Sequence, residues 1–294
     1  MIRAMPEQPS RAVVAAGVLA MFMFSANFAA TGHALAEGLS VPDLVFLRYG
    51  TAGPLFLLLL LRIGLGGLAW WRAVVLAALG GAPYFLLTAM ALRFAPAVHA
   101  SILNPGGTMV FAPLLAWWLL RTPPEIGVRI GLPVIALGLL LIGGAGLGEG
   151  GGTVWVGDLM VLASGFNWAL YGVLMQRWGV SGLRAAAIIG AVSLAWVPVH
   201  LAVFGIEGIA AHPAEALRQA GYQGLIAGGL AIVLYSRAVV AMGPARAALL
   251  PPLVPALGVL WAWRLLGEHV TPMQVAGMAT VIAGMLCGAL WRRR

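Results

Sequence analysis

The chain has 294 residues, 62% of them hydrophobic and only 9% charged, with a formal net charge of +8. A soluble domain carries about 25% charged residues, so this much apolar surface requires the lipid bilayer as part of its solvent. The basic residues are all arginines, set singly in short connections or at the end of the chain, which argues against a nucleic-acid partner. The lone Cys287 excludes disulfides, iron–sulfur clusters and thiolate zinc sites, and no cofactor is expected.

A crossing helix needs about 20 apolar residues. Ten such stretches follow one another, at 12–33, 43–61, 73–94, 97–119, 127–146, 154–176, 183–204, 220–241, 246–264 and 271–291. The first contains an apolar run, Val13 to Ala30, that is too long for a cleavable signal. Span 1 offers Phe24, Asn27 and Thr31. Span 2 starts at Asp43 and carries Arg48 five residues further in, about 7.5 Å along a helix axis. Span 3 has Gly80, Tyr84 and Thr88 on one face. Span 4 has His99 near its start, the stripe Ser101, Pro105, Thr108 and Ala112, and the sequence Asn104-Pro105-Gly106-Gly107. Span 6 has Ser164, Asn167, Tyr171 and Met175 at helical spacing, with Trp168 beside Asn167. The longest connection, 205–219, contains Pro213-Ala-Glu-Ala-Leu-Arg, where a short interfacial helix is expected. Span 9 holds Pro251-Pro252-x-x-Pro255.

Charge sets the orientation. With the amino end cytoplasmic, the inside connections hold Arg3, Arg11, Arg62, Arg72, Arg121, Arg129, Arg177, Arg184, Arg237, Arg246 and the terminal Arg292, Arg293 and Arg294. The outside ones hold only Arg93, Arg218 and Arg264, with Glu37, Asp43, Glu149, Asp158, Glu207, Glu215 and Glu268. That asymmetry predicts an integral plasma (inner) membrane protein with both termini cytoplasmic.

The Gly-rich stretch from Gly143 to Gly152 divides the chain nearly in half. Ala26-Asn27-Phe28-Ala29 parallels Phe166-Asn167-Trp168-Ala169, and Ala100-Ser-Ile-Leu-Asn104-Pro105 parallels Ala247-Ala-Leu-Leu-Pro251-Pro252. Two similarities in the same order point to duplication. The expected fold is therefore all-α, ten helices in two five-helix repeats, 1–148 and 149–294. An odd number of spans per repeat inverts the second copy in the membrane, an architecture that places substrate near the midplane between repeats.

Ser25-Ala-Asn-Phe28, Leu47-Arg48-Tyr49, Gly157-Asp158 and the run from Ala247 to Pro255 followed by Leu266-Gly267-Glu268, Gln274 and Gly284 resemble the drug/metabolite transporter superfamily, built from two EamA-type domains. The first half departs from the pattern, with Leu120-Arg121-Thr122 where Gly-Glu stands in the family. The aromatic residues and Ala97-Val-His99-Ala100-Ser101 are most similar to YddG-like amino acid exporters. The resemblance implies ten helices around a central cavity, alternating access and export of small metabolites.

Chemistry narrows the candidates. Proline frees a backbone carbonyl, which in lipid must be satisfied by protein or by water in a cavity. Pro105 and Gly106, matched by Pro252 and Pro255, are thus candidate hinges, with plain packing kinks as the alternative. Tyr84, Phe85, Trp168 and Tyr171 fall at mid-depth, where they can stack on planar groups or hold a cation; ordinary core packing is the alternative. Asn27, Asn167, Ser101 and His99 are candidate polar contacts for substrate, or bonds between helices. Arg48 bridges outward to loop acids or carbonyls, attracts a substrate carboxylate, or gates the mouth. No Asp or Glu lies deep in a span, so obligatory proton coupling is not expected. The spans lack a paired carboxylate, a Cys nucleophile or a metal cluster, so an enzyme is disfavoured. The reading is a transporter, a monomer or weak homo-oligomer, moving a small molecule. The best guess is amino acids, including aromatic ones; the alternatives are a channel or lipid scramblase, or export of nucleoside-like metabolites or cationic drugs.

Overall fold

A computed structural model describes residues 10–148 and 152–291. Arg3, Glu149 and Arg292 to Arg294, used above to orient the chain, lie outside the described residues, and the proposed repeat boundary falls at their edge. Every regular element described is helical. In chain order they are α1 (Arg11–Ala36), α2 (Val41–Ile63), α3 (Trp70–Ala91), α4 (Ala97–Leu120), α5 (Ile126–Gly146), α6 (Val154–Arg177), α7 (Gly182–Val203), α8 (Pro213–Met242), α9 (Leu253–Leu266) and α10 (Pro272–Leu290), with single turns before α8 and α9. Among the described residues nine of these are long and apolar enough to cross a membrane, and α9 is shorter.

Two elements differ from expectation. The 205–219 connection does carry a short helix, Glu207–Ala211, but residues 213–218 are the first turns of α8 rather than part of it. Hydropathy places the span start too late because Glu215 and Gln219 read as loop, whereas both side chains are buried. The ninth span is broken. A single turn, Pro244–Ala247, is followed by irregular backbone, and α9 begins only after Pro251 and Pro252, two residues without the N–H that helix continuation needs.

The other helices bend where their sequences allow. In α3 the break falls at Gly81, just before Pro83, and the freed Ala82 N–H donates to Ser193 Oγ of α7 at 2.9 Å. In α1 the bend at Ala26 is flanked by Ser25 and Thr31, whose hydroxyls donate to Phe22 O and Asn27 O, a back-bonding that bends helices. The middle of α8, Ala220–Leu230, is wound as a π-helix. Its glycines make the wide turn possible: a Cβ added at Gly228 would lie 2.6 Å from the carbonyl oxygen of Gln223, five residues earlier.

Packing repeats across the halves. Helix α1 packs on α8 and α9; α6 packs on α3 and α4; α2 pairs with α7, α4 with α9 and α5 with α10. These pairings map onto themselves when helices 1–5 exchange with helices 6–10. The α5–α10 seam is made by backbone. A Cβ at Gly131 would meet Gly284 O at 2.5 Å, and one at Gly138 would meet Gly277 O at 2.7 Å, so small residues alone permit this approach. Trp70, Trp117, Trp118, Trp155, Trp263 and Trp291 are exposed near helix ends, as expected of interfacial anchors.

Candidate functional site

Asn27 on α1, Arg48 on α2 and Gln223 in the π-helical part of α8 converge. Arg48 Nη1 donates to Gln223 Oε1 at 2.7 Å and to Asn27 Oδ1 at 3.2 Å. The guanidinium lies 4.6 Å from the centroid of the Phe85 ring, within cation–π range. The expected outward bridge from Arg48 to loop acids is not formed. Asp43, the nearest acid in sequence, caps its own helix by accepting from the Ser40 N–H and hydroxyl, and sits 3.4 Å from His200 Nε2. Arg48 therefore turns inward.

A row of aromatic rings runs from there. Tyr84, next to Phe85, lies 5.2 Å from Trp168, which lies 5.1 Å from Tyr171, centroid to centroid, with interplanar angles near 35°. These separations lie within the range of about 4.5–7 Å for interacting aromatic pairs. Asn104 Nδ2 donates to Ser164 Oγ at 2.7 Å and reaches Tyr84 Oη at 3.4 Å. Trp168 also lines a crevice of about 360 Å³ between α4 and α6, with Thr108, Ala112, Pro113 and Gln176. The structure thus brings together Asn27, Arg48, Tyr84, Trp168 and Tyr171 of the expected set.

The remaining candidates sit elsewhere. Ser101 is fully buried, with no hydrogen-bond partner for its Oγ among the described residues, and is pressed against Gly258 of α9. His99 is fully buried too, in a chain of polar groups. Gln274 Oε1 accepts from Thr271 N–H at 2.9 Å, so its Nε2 donates to His99 Nε2 at 3.1 Å, and His99 Nδ1 carries the proton donated to Asp158 Oδ1 at 2.9 Å. Both residues lack access to a solute in this conformation. Asn167 is half-buried. Helix α4 runs unbroken through Pro105 and Gly106, with Gly106 packed on Leu139 of α5. The backbone break comes just before α9, next to Pro252, and Pro255 is buried within the helix.

Several contributors were not visible in the sequence. Glu215, Gln219 and Gln223 form a buried ladder on α8. Gln219 Nε2 donates to Glu215 Oε1 and to Ala30 O; Gln223 Nε2 donates to Thr31 Oγ1. Their spacing of four residues was the available signal. Glu268 is a second case. It accepts from the N–H groups of Ala97 and Val98, both at 2.8 Å, and so caps α4 from the other half of the chain. Its counterpart position does not repeat this. Arg121 adopts the left-handed conformation (φ 59°) that Gly267 adopts (φ 65°), and the Thr122 hydroxyl donates to Ala116 O of α4.

These polar ties (Asp158–His99–Gln274, Glu268–α4, Asp43–His200, Glu215–Arg218) lie at the end of the bundle where the even-numbered helices begin. Such a bundle, apolar outside and with an arginine and amides turned inward amid aromatic rings, defines a polytopic membrane protein. The sequence profile of the EamA-like transporter family matches residues 11–144 and 155–288, and the chain belongs to that family, within the drug/metabolite transporter superfamily. It is therefore a membrane transporter, with a small molecule as its substrate, and not an enzyme by family. No curated protein matches it in sequence. A solved structure, described only as the crystal structure of a protein, is similar over 96% of this chain and 98% of its own, with a TM-score of 0.62 and 19% identity; that likeness concerns the fold alone.

Proposed function

We propose that the protein is an exporter of small amphiphilic metabolites, with amino acids, including aromatic ones, as the leading candidates, working by alternating access in the inner membrane with both termini cytoplasmic. The two repeats, 1–148 and 149–294, are related by inversion across the membrane; helix pairing that survives exchange of the halves supports this. The observation that carries the reading is the continuous set Asn27, Arg48, Phe85, Tyr84, Trp168 and Tyr171. It offers a charged group and amides for a polar end, and ring faces for an apolar end. The likeness of the sequence to YddG-like exporters points the same way. On this reading the polar ties described above close the outer end, and the crevice beside Trp168 belongs to the inner side.

Reconstituted into proteoliposomes, the protein should show saturable counterflow of radiolabelled amino acids with competition between them. Trp168→Ala and Tyr84→Ala should reduce that flux far more than they reduce the yield of folded protein. Unchanged kinetics in both variants refutes the site.

A further inference from the structure

Arg48 forms no ion pair with any described residue. An arginine within a membrane span is costly and by default functional. Here its Nη1 donates to two neutral amides, the Phe85 ring lies against the guanidinium, and the Tyr49 side chain, also uncharged, stands beside it with its ring centroid 6.0 Å away. The described carboxylates that are buried or bonded are engaged elsewhere. Asp43 is held by Ser40 and lies 3.4 Å from His200, Glu37 is near His33, Asp158 is held by His99, Glu215 by Arg218 and Gln219, and Glu268 by the start of α4. The nearest of them along α8, Glu215, is two helical turns from Gln223, on the order of 10 Å. Among the described residues, the shell around Arg48 is therefore polarised but uncharged, and it contains no carboxylate to receive an ammonium.

We propose, resting on the transporter reading above, that Arg48 is the carboxylate-binding group of this site and that the site selects net-anionic apolar or aryl carboxylates over amines. Gln223 and Asn27 are positioning residues. They fix one edge of the guanidinium fork, and the remaining N–H donors of its five meet the carboxylate. The π-helical turn sets Gln223 at its place: Gly224 packs so closely that an added Cβ would lie 2.6 Å from Thr51 Cβ on α2, the helix that carries Arg48. The acid's apolar body lies along Phe85, Tyr84 and Trp168. A zwitterion makes the same carboxylate contact but brings an ammonium without an anionic partner, so it gains nothing over the simple acid.

Three probes with the same aryl body test this: 3-phenylpropionate, phenylalanine and phenethylamine. Each is titrated against the purified full-length protein by thermal shift and then as a competitor in proteoliposome counterflow. The acid should stabilise at least as well as the amino acid, and the amine should not stabilise. Arg48→Gln should abolish the response to the acid, and Arg48→Lys should keep it at reduced affinity. Gln223→Glu, which supplies a counter-ion, should weaken acid binding by about 10–100-fold. An amine response equal to that of the acid, no response to the acid, or an unchanged acid response in folded Arg48→Gln overturns the inference. The wild-type panel alone decides should a variant fail to fold. Saturable amino acid flux with no response to the acid sinks this inference and spares the carrier; absence of any saturable flux sinks the carrier.

Discussion

Replacing Glu268 by alanine removes both acceptors at the start of α4, where the helix has no cap of its own because Pro96 stands at the N-cap position. Each N–H bond to the carboxylate is charge-assisted, worth about 1.5–3 kcal/mol when fully buried. Glu268 is only half-buried, however, and lines an open pocket of about 460 Å³. Water takes over the two N–H groups in the variant, so the net loss falls to that of a removed N-cap, about 1–2 kcal/mol. For a chain of this size that lowers the unfolding midpoint by about 2–8 °C. The single Cys287, half-buried in α10, makes the assay simple: a fluorogenic thiol reagent reports its exposure as detergent-solubilised protein is heated. Glu268→Gln keeps one uncharged acceptor and should fall between. Thr122→Ala, at the corresponding position of the first half, removes only an exposed 3.3 Å bond to Ala116 O and should change stability by less than about 0.5 kcal/mol. A Glu268→Ala midpoint equal to that of Thr122→Ala refutes the cap and, with it, the idea that this carboxylate ties the two halves.

Three further outcomes follow from the packing. Gly138→Ala places a Cβ 2.7 Å from Gly277 O and 2.8 Å from Val281 N, backbone atoms that cannot swing away, so unfolding assays should show a loss of about 1–3 kcal/mol. Ser193→Ala leaves the Ala82 N–H at the break of α3 without its acceptor, at a cost of about 1–3 kcal/mol, whereas Ser193→Thr should retain most of the stability. The Asp158 side chain has its second oxygen buried without a partner. Asp158→Asn removes a buried charge and still accepts from His99, so it should be within about 1 kcal/mol of wild type, while His99→Ala should cost about 2–5 kcal/mol by taking away the donor to the buried Asp158 Oδ1. Equal losses in the last two variants count against the proton assignment made for His99.

Hydropathy made the helices legible because lipid allows little else: nine of the ten expected stretches are helices long enough to cross, and the tenth is shortened by prolines already visible at 251 and 252. The aromatic members of the site were legible for a related reason. Tyr84, Trp168 and Tyr171 are rings at mid-depth in spans whose ends already have their own tryptophans. What escaped were bonds between residues far apart in the chain. Arg48 and Gln223 are 175 positions apart, and Ala97 and Glu268 are 171 apart. No local pattern links such pairs, and uncharged glutamine raises no alarm in a charge count.

The same gap bears on coupling. Counting depth by residue number found no acid deep in a span, yet Asp158 and Glu215 are buried, one against His99 and the other within 3.5 Å of His33. They escaped because burial at a helix start depends on which neighbouring helix covers it, and the sequence does not state this. All of these pairs lie at the end where the even-numbered helices begin, away from the Arg48 shell. Along α8 the groups between Glu215 and Arg48 are Gln219 and Gln223, amides that do not titrate at these sites, so the ladder offers no titratable relay. The expectation is therefore that a pH gradient alone drives no uphill accumulation of solute in proteoliposomes. Uphill uptake driven solely by a pH gradient, and abolished by Glu215→Gln, would show that the ladder conducts protons after all.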